Sequence, residues 1–253
     1  MILEFAKLLK QADNIVFLGG AGVSTESGIP DFRSAGGRYN QKREDGLSLE
    51  ETLGHRFFMA HPEEFYQGYR NSLVHENAKP NDAHYALAKL EQMGKLRAVI
   101  TQNVDGLHQE AGSKNVLELH GSRKRNYCMV CKKQYGSDYL IDPANCREAA
   151  DGGPGVVPLC SVCGGIVRPD IVLYEESLDQ KVLQAALQAV MAADLMIVGG
   201  TSLVVYPAAG LVDYFGGDKL VLINRTETPF DERADLVFRS SIGKVLSEAV
   251  ASL

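Results

Sequence analysis

The stretch Ile15-Val-Phe-Leu-Gly-Gly-Ala-Gly-Val-Ser-Thr-Glu-Ser-Gly-Ile-Pro-Asp-Phe-Arg33 constrains this chain most. Ile15 to Leu18 form a short apolar run, rich enough in β-branched residues to predict a buried strand. The run passes directly into Gly19, Gly20 and Gly22, with Ser24, Thr25 and Ser27 behind. A buried strand ending on a glycine-rich turn is where α/β proteins hold phosphates. Glycine lets backbone amides approach an anion, and a following helix N-terminus adds a favourable dipole. Gly20-Ala-Gly22 lacks the third glycine of the common dinucleotide fingerprint, so an ordinary tight turn is the competing reading. The closing Pro30-Asp31-Phe32-Arg33 is more specific: a carboxylate, a ring and a guanidinium suit a charged, ring-bearing ligand.

The rest of the chain supplies partners for that strand. Apolar positions Ile2, Phe5, Leu8 and Leu9 predict a leading helix, and Asn81 or Asp82 caps a helix carrying Ala83, Ala86, Leu87 and Leu90. Strands are expected at Ala98–Thr101, Leu195–Val198, Leu220–Ile223 and Leu236–Phe238. A further helix holds Leu183, Ala186, Leu187 and Val190 on one face, and Pro207 suits an early helical position. Strands alternating with helices predict an α/β fold with a mostly parallel sheet and right-handed crossovers. Such sheets bind ligands beyond the C-terminal ends of their strands. Four of those ends are polar: Gly20-Ala-Gly22, Gln102-Asn103-Val-Asp105, Gly200-Thr-Ser202 and Asn224-Arg225. Residues 34–79 break the pattern with segments such as Arg56-Phe57-Phe58-Met59 and Glu63-Glu-Phe-Tyr66, which predict a helical insertion forming a wall or lid. The polar stretch 41–46 reads as an exposed loop.

Four of the five cysteines form Cys128-x-x-Cys131 and Cys160-x-x-Cys163, with residues 132–159 between the pairs. Each C-x-x-C bends round one side of a tetrahedral ion, and two pairs make a closed four-thiolate shell that zinc favours. Two disulfides or an iron–sulfur centre are the rival readings. A closed shell leaves no position for water or substrate, so one structural zinc is expected, fixing an insertion with little apolar content around Asp151-Gly-Gly-Pro-Gly155. Cys146 has no pairing partner. A formal charge of −6 argues against a nucleic-acid partner, and the run Arg123-Lys124-Arg125 reads as a solvated face. No apolar run approaches the ~20 residues of a membrane helix. With no signal-like start and reduced-type cysteine usage, a cytoplasmic location is expected. Leu117-Glu-Leu-His-Gly121 places His120 at the junction of core and insertion, where imidazole suits general-base work. The histidines His55, His61, His75 and His108 read as structural. No G-x-S-x-G elbow supports a serine hydrolase, and the C-x-x-C thiols are committed to metal.

Gly20-Ala-Gly-Val-Ser24 followed by Gly28-Ile-Pro-Asp-Phe-Arg33 resembles the signature of the sirtuins, NAD-dependent protein-lysine deacylases. Thr101-Gln-Asn-Val-Asp105, His120-Gly121, the two C-x-x-C pairs, Gly200-Thr-Ser202 and Ile223-Asn224 match in the same order, so the resemblance spans nearly the whole chain, in a compact prokaryotic form. It implies a Rossmann-like domain (1–33, 80–122 and 168–253) and a smaller domain made of a helical insertion (34–79) and a zinc-ribbon insertion (123–167). NAD and acyl-lysine would enter the intervening cleft from opposite sides.

The resemblance also implies roles. Ala21, Gly22, Ser24 and Arg33 would hold the NAD phosphates and adjoining ribose, and Phe32 would shield the reactive C1′. Asn103, Val104 and Asp105 would form the nicotinamide pocket, Asn103 and Asp105 acting in catalysis, and Gln102 would bind the nicotinamide ribose. Thr201 and Ser202 would lie near the phosphates and adenosine ribose, with Asn224 and Arg225 at the adenosine end. Gly20, Thr25, Asp31, Gly200 and Ile242 complete the expected cofactor-binding set. His120 would be the general base. Val172, Leu173, Tyr174, Leu203 and Val204 would hold an acyl-lysine peptide or protein as an added strand. In the implied reaction the acyl carbonyl oxygen attacks C1′ as nicotinamide leaves, and water finally releases lysine and an acyl-ADP-ribose ester. Mono-ADP-ribosylation and NAD hydrolysis use the same machinery and are the alternatives, as is a preference for acyl groups other than acetyl.

Three departures stand out. Gly19 replaces a frequent Thr and Gly199 a usual apolar residue, which suggests looser packing. Leu173-Tyr-Glu-Glu176 replaces a frequent Phe-Gly-Glu, which points to a preference for basic peptide flanks. The subset preferring succinyl or malonyl groups carries Tyr-x-x-Arg; here Tyr66-Gln-Gly-Tyr-Arg70 sets the arginine one residue, or ~100°, further round. Acetyl is therefore the expected acyl group. The loop Gly20–Arg33 is expected to be mobile when empty and to order on NAD.

Overall fold

The computed structural model describes residues 1–34, 37–40, 46–75, 77–147 and 155–253. Most of the expected polar loop 41–46 and of the glycine-rich stretch 151–155 therefore lies outside the described residues. Nine strands are described: β1 (Ile15–Gly19), β2 (Leu96–Thr101), β3 (Val116–Glu118), β4 (Gly121–Cys128), β5 (Gln134–Gly136), β6 (Val167–Ile171), β7 (Leu195–Gly199), β8 (Lys219–Ile223) and β9 (Leu236–Phe238). The helices are α1 (Ile2–Gln11), α2 (Leu49–Thr52), α3 (His55–Ala60), α4 (Pro62–Leu73), α5 (Asp82–Gln92), α6 (Leu107–Glu110), α7 (Ser137–Ile141), α8 (Gln180–Met191) and α9 (Ile242–Ala251).

The main sheet runs β3-β2-β1-β7-β8-β9, and every pairing in it is parallel. Alternation along β1 shows how both faces are covered. Ile15 and Phe17 point to a core shared with α1, α5 and α9. Val16 and Leu18 point to one shared with α8 and the 3-10 turn Ala209–Tyr214. The order reverses direction between β1 and β7, and a crevice opens at such a switch point beyond the strand ends.

Helix α9 carries Ile242, Val245, Leu246 and Ala249 into the first core. The sequence reading stopped at β9 and missed it. The segment after Pro207 is the 3-10 turn Ala209–Tyr214 rather than an α-helix. Residue Asn81 caps α5 as expected, its side chain accepting from Ala83 N–H at 2.9 Å.

A second, antiparallel sheet, β5-β4-β6, carries the cysteine module. The helical insertion and this module share one core: Leu49, Phe58, Phe65, Tyr66 and Tyr69 pack with Leu140, Val157, Val167 and Ile171. The two insertions thus form a single smaller body, as the fold expectation required. The basic run is not uniformly solvated. Arg123 is buried, whereas Lys124 pairs with Glu110 and Arg125 with Glu118 and Asp170.

Candidate active site

The C-terminal ends of β1 and β7 sit side by side, Gly19 opposite Gly199. A Cβ on Gly22 would lie 2.7 Å from Gly200 Cα, and one on Gly20 2.9 Å from Thr201 Cβ. Gly200 itself adopts φ +61, where a side chain would collide with Val23 N at 2.4 Å. These glycines let two strand-end loops touch. Their amides seal the contact: Gly20 N–H donates to Gly199 O and Gly22 N–H to Gly200 O at 2.8 Å. The simple picture of glycine amides reaching an anion is therefore corrected, since these two N–H groups are already engaged.

The departures at Gly19 and Gly199 do not loosen the packing. A Cβ at Gly19 would lie 2.5 Å from the Phe17 ring, and one at Gly199 2.3 Å from Ile242 Cδ1. Phe17 and Ile242 occupy the space that larger residues would take.

Behind the loop, Asn81 Nδ2 donates to Val23 O and to Ser27 Oγ, and Glu26 accepts from Gly243 N–H at the start of α9. Inside it, Ser24 Oγ donates to Asp105 Oδ2 at 2.7 Å and accepts from Asn103 Nδ2 at 3.0 Å. The other Asp105 oxygen accepts from Leu107 N–H. Gln102 Nε2 donates to Thr201 Oγ1 at 3.1 Å. The amide and carboxylate side chains at the β2 end are thus locked to the loops that follow β1 and β7.

His120 stands in the turn between β3 and β4. Its Nδ1 lies 2.9 Å from Gln102 O. A carbonyl only accepts, so Nδ1 carries the proton and Nε2 keeps the lone pair. Burial holds the imidazole pKa below its ordinary value, partly opposed by the Gln102 hydrogen bond. A neutral ring with a free basic Nε2 is what a general base requires. Gly121 makes the turn possible: at φ +76 its Cβ would lie 2.1 Å from Asp170 O. Val172 N–H donates to His120 O, tying the base to the strand beside it.

These groups line one cleft of about 930 Å³. It gathers Gly20, Ala21, Gly22, Ser24, Thr25, Asp31, Phe32, Arg33, Gln102, Asn103, Val104, Asp105, His120, Val172, Leu173, Tyr174, Gly200, Thr201, Ser202, Asn224, Arg225 and Ile242. Leu203 and Val204 are not among its walls: Leu203 turns into the second core and Val204 outward. Sequence reasoning missed Arg38, Tyr39, Leu53, Leu73 and His75, which also line the cleft. A lone arginine or histidine in an irregular segment gives no pattern to detect.

Glu176 accepts from both terminal nitrogens of Arg168 (2.7 and 3.0 Å), from His55 Nδ1 and from Leu173 N–H. Glu175 adopts φ +75, the region that favours glycine. Its carboxylate accepts from Arg56 N–H and pairs with Arg56 Nε at 3.2 Å. Glu175 therefore already has a basic neighbour within the chain, through a solvent-exposed pair. The Tyr174 hydroxyl hydrogen-bonds that of Tyr39. Arg70 donates to Leu140 O and Cys146 Sγ and is absent from the cleft walls, as its position on α4 predicted.

The four cysteine sulfurs lie within 4.8 Å of one another, with Cys128–Cys163 and Cys131–Cys160 at 3.5 Å. Zinc–thiolate bonds of ~2.3 Å in a tetrahedron put sulfurs ~3.8 Å apart, so the cage fits one zinc. No disulfide forms among these cysteines. Cys131 N–H, Val162 N–H and the Tyr135 hydroxyl donate to sulfur, supporting thiolates.

A Rossmann-order sheet with a loop-built cleft at its switch point, joined to a separate antiparallel sheet that carries a four-thiolate cage, marks a dinucleotide-dependent enzyme class. The chain belongs to the Sir2 family, whose model matches residues 20–207. It is 54% identical to an NAD-dependent protein deacetylase of Clostridium perfringens over 98% of each chain, and 43% identical to one of Staphylococcus epidermidis over 99% of this chain and 97% of that one. Among solved structures, a Sir2 complex with a p53 peptide and NAD+ superposes with a TM-score of 0.84 at 42% identity, covering 100% of this chain and 98% of that one. Sir2 bound to acetylated peptide gives 0.85 at 41%, with the same coverage.

Proposed function

We propose that the chain is an NAD-dependent protein deacetylase, moving the acetyl group of acetyl-lysine to ADP-ribose with release of nicotinamide, with one structural zinc. The observation that carries this is His120, held by Gln102 O in the tautomer that leaves Nε2 basic, on the wall of the cleft that also holds Asn103, Asp105 and Phe32. When bound, NAD supplies an electrophilic anomeric carbon and the hydroxyls that take the acyl group.

Ala21, Ser24, Arg33, Ser202, Asn224 and Arg225 would hold its phosphates and adenosine, with Gly20, Gly22, Thr25, Asp31, Gly200, Thr201 and Ile242 shaping the same wall. The Arg33 guanidinium makes a long ion pair with Glu50 at 3.9 Å, with both side chains well exposed, so it can turn to a phosphate. Asn103, Val104 and Asp105 would receive nicotinamide, and Gln102 the ribose beside it. The Asn103–Ser24–Asp105 hydrogen-bond chain means these dipoles need no reorganisation during reaction. Phe32 would keep water from the reacting centre. Val172 has its N–H engaged with His120 O, which leaves its carbonyl for the acyl-lysine N–H. The peptide would lie along Val172–Tyr174, with the Leu203–Val204 backbone on its other side. His120 Nε2 would take the proton of the ribose hydroxyl that accepts the acyl group. No helix among the described residues is long and apolar enough to cross a membrane.

The test is His120→Ala: NAD binding by calorimetry is retained while acetyl-peptide turnover falls by ~10²–10⁴-fold, the range of a lost general base. Undiminished turnover would sink the assignment.

A further inference from the structure

The basic run Arg123-Lys124-Arg125 has no part in the transfer as derived so far, yet the chain departs from regular structure to place it. Ser122 of β4 pairs with Asp170 of β6, but the next paired residue, Asn126, faces Pro169, so residues 123–125 bulge out of the β4–β6 ladder. Bulges re-aim side chains beside active sites. Here each bulged residue reaches back to the body of the main sheet. Arg123 N–H donates to Val104 O at 3.0 Å, between Asn103 and Asp105. Lys124 pairs with Glu110 of α6 at 2.8 Å, and its stem covers Gly106, whose Cβ would lie 3.1 Å from Lys124 Cγ. Arg125 makes two pairs: Nη1 with Glu118 of β3 at 2.6 Å and Nε with Asp170 of β6 at 2.9 Å.

The two carboxylates that Arg125 joins are placed with respect to the site. Glu118 stands two residues before His120, and Asp170 two residues before Val172. The chain leaves the main sheet between Glu118 and Gly121 and returns to the cleft after Ile171. These two crossings meet through the Gly121–Ile171 pairing and the Val172 N–H bond to His120 O at 2.9 Å. Just beyond them the bulge interrupts the ladder, so the backbone supplies no further tie there. The Arg125 guanidinium takes over that task, and its planar fork holds both carboxylates in fixed directions. The Glu118 side chain is 8% exposed, which shelters that end of the bridge from water and salt. Removing the guanidinium would leave a nearly buried carboxylate unpaired, and the crossing that carries His120 would shift to rehydrate it.

We propose that Arg125 is a positioning residue for acyl transfer: by bridging Glu118 and Asp170 it holds the His120 turn and the Val172 strand at the spacing the base needs. This rests on the cleft being the site of NAD-dependent deacetylation. Arg125 touches neither substrate nor cofactor, and no bond to it forms or breaks. Its effect falls on the half of the reaction that uses His120, after nicotinamide has left.

The test compares two rates at saturating acetyl-peptide and NAD. Exchange of labelled nicotinamide into NAD reports the first step and its reversal, whereas formation of deacetylated peptide also needs His120. Arg125→Met should lower deacetylation about 10-fold, inside the ~10²-fold that a 1 Å misplacement costs. The peptide KM should rise several-fold, while exchange and calorimetric NAD binding stay as in the natural protein. Arg125→Lys reaches one carboxylate at a time and should restore part of the loss. Glu118→Gln added to Arg125→Met should cost little more, because the carboxylate it removes has already lost its partner. A ratio of deacetylation to exchange equal to that of the natural protein overturns the proposal, whether both rates hold or both fall. Should Arg125→Met fail to fold, Glu118→Gln and Asp170→Asn each remove one end of the bridge, and an unchanged ratio in both overturns it equally. A natural protein showing neither exchange nor deacetylation would instead refute the deacetylase reading.

Discussion

Replacing Glu176 by Gln measures what holds the peptide-facing strand in place. The carboxylate joins β6, α3 and the Leu173 backbone at once, and the side chains of Arg168 and Glu176 are 8% and 20% exposed. Burial pushes the Glu176 carboxyl up, but the Arg168 hydrogen bonds and the Leu173 N–H outweigh it and hold the pKa at about 2, against 4.5 normally. Taken whole, that shift corresponds to roughly 3.4 kcal/mol. Partial exposure screens the pair, so about 2 kcal/mol is the better figure. For a chain of this size, ~2–4 °C per kcal/mol gives a drop in Tm of about 4–8 °C at pH 7.

Because the folded pKa is depressed, the contribution is fully present above pH 4.5 and is lost as pH falls towards 2. The gap between the two proteins should therefore narrow in acid. Leu173 N–H loses its charged acceptor beside Val172, so the KM for acetyl-peptide should rise several-fold while the KM for NAD changes less. Calorimetric melts at pH 7 and pH 4, with steady-state kinetics in both substrates, provide the assay. A Tm within about 1 °C of the natural protein, together with an unchanged peptide KM, would refute the clamp.

Chelation of the metal, or Cys131→Ala, should unfold the β5-β4-β6 module, since structural zinc binding is itself folding free energy; circular dichroism and readdition of zinc would follow it. Burial holds His84 at about 4, His108 well below its ordinary value and His120 below it as well. The unfolded chain therefore binds more protons around and below pH 6.5, and stability should fall as pH drops, by at most about 3 kcal/mol for the three between pH 6.5 and 5.5. Urea midpoints that stay flat over that interval would contradict it. Gly199→Val should cost about 1–3 kcal/mol by driving a side chain into Ile242, with a lowered denaturation midpoint and no change in m.

The strands, the order of the strand-end motifs and the zinc ligands were legible because each rests on local pattern: apolar runs, fixed spacing, glycine clusters. What escaped was set by tertiary packing. Helix α9 lies after the last strand, where the reading stopped. The role of Gly20 and Gly22 depends on Gly200, almost two hundred residues away, which no local rule connects. The sequence offered no sign that Glu175 pairs with Arg56, more than a hundred residues earlier. Arg38 and His75 are single polar residues in irregular segments, and only the folded cleft gives them a common neighbour.

The central claim is that this cleft couples NAD cleavage to acyl-lysine. Incubation with NAD, with and without acetyl-lysine peptide, followed by mass spectrometry, tests it directly. The account predicts nicotinamide, deacetylated peptide and acetyl-ADP-ribose in equal amounts, and only when the peptide is present. Nicotinamide and free ADP-ribose formed at the same rate without peptide, or a peptide gaining ADP-ribose instead of losing acetyl, would contradict it.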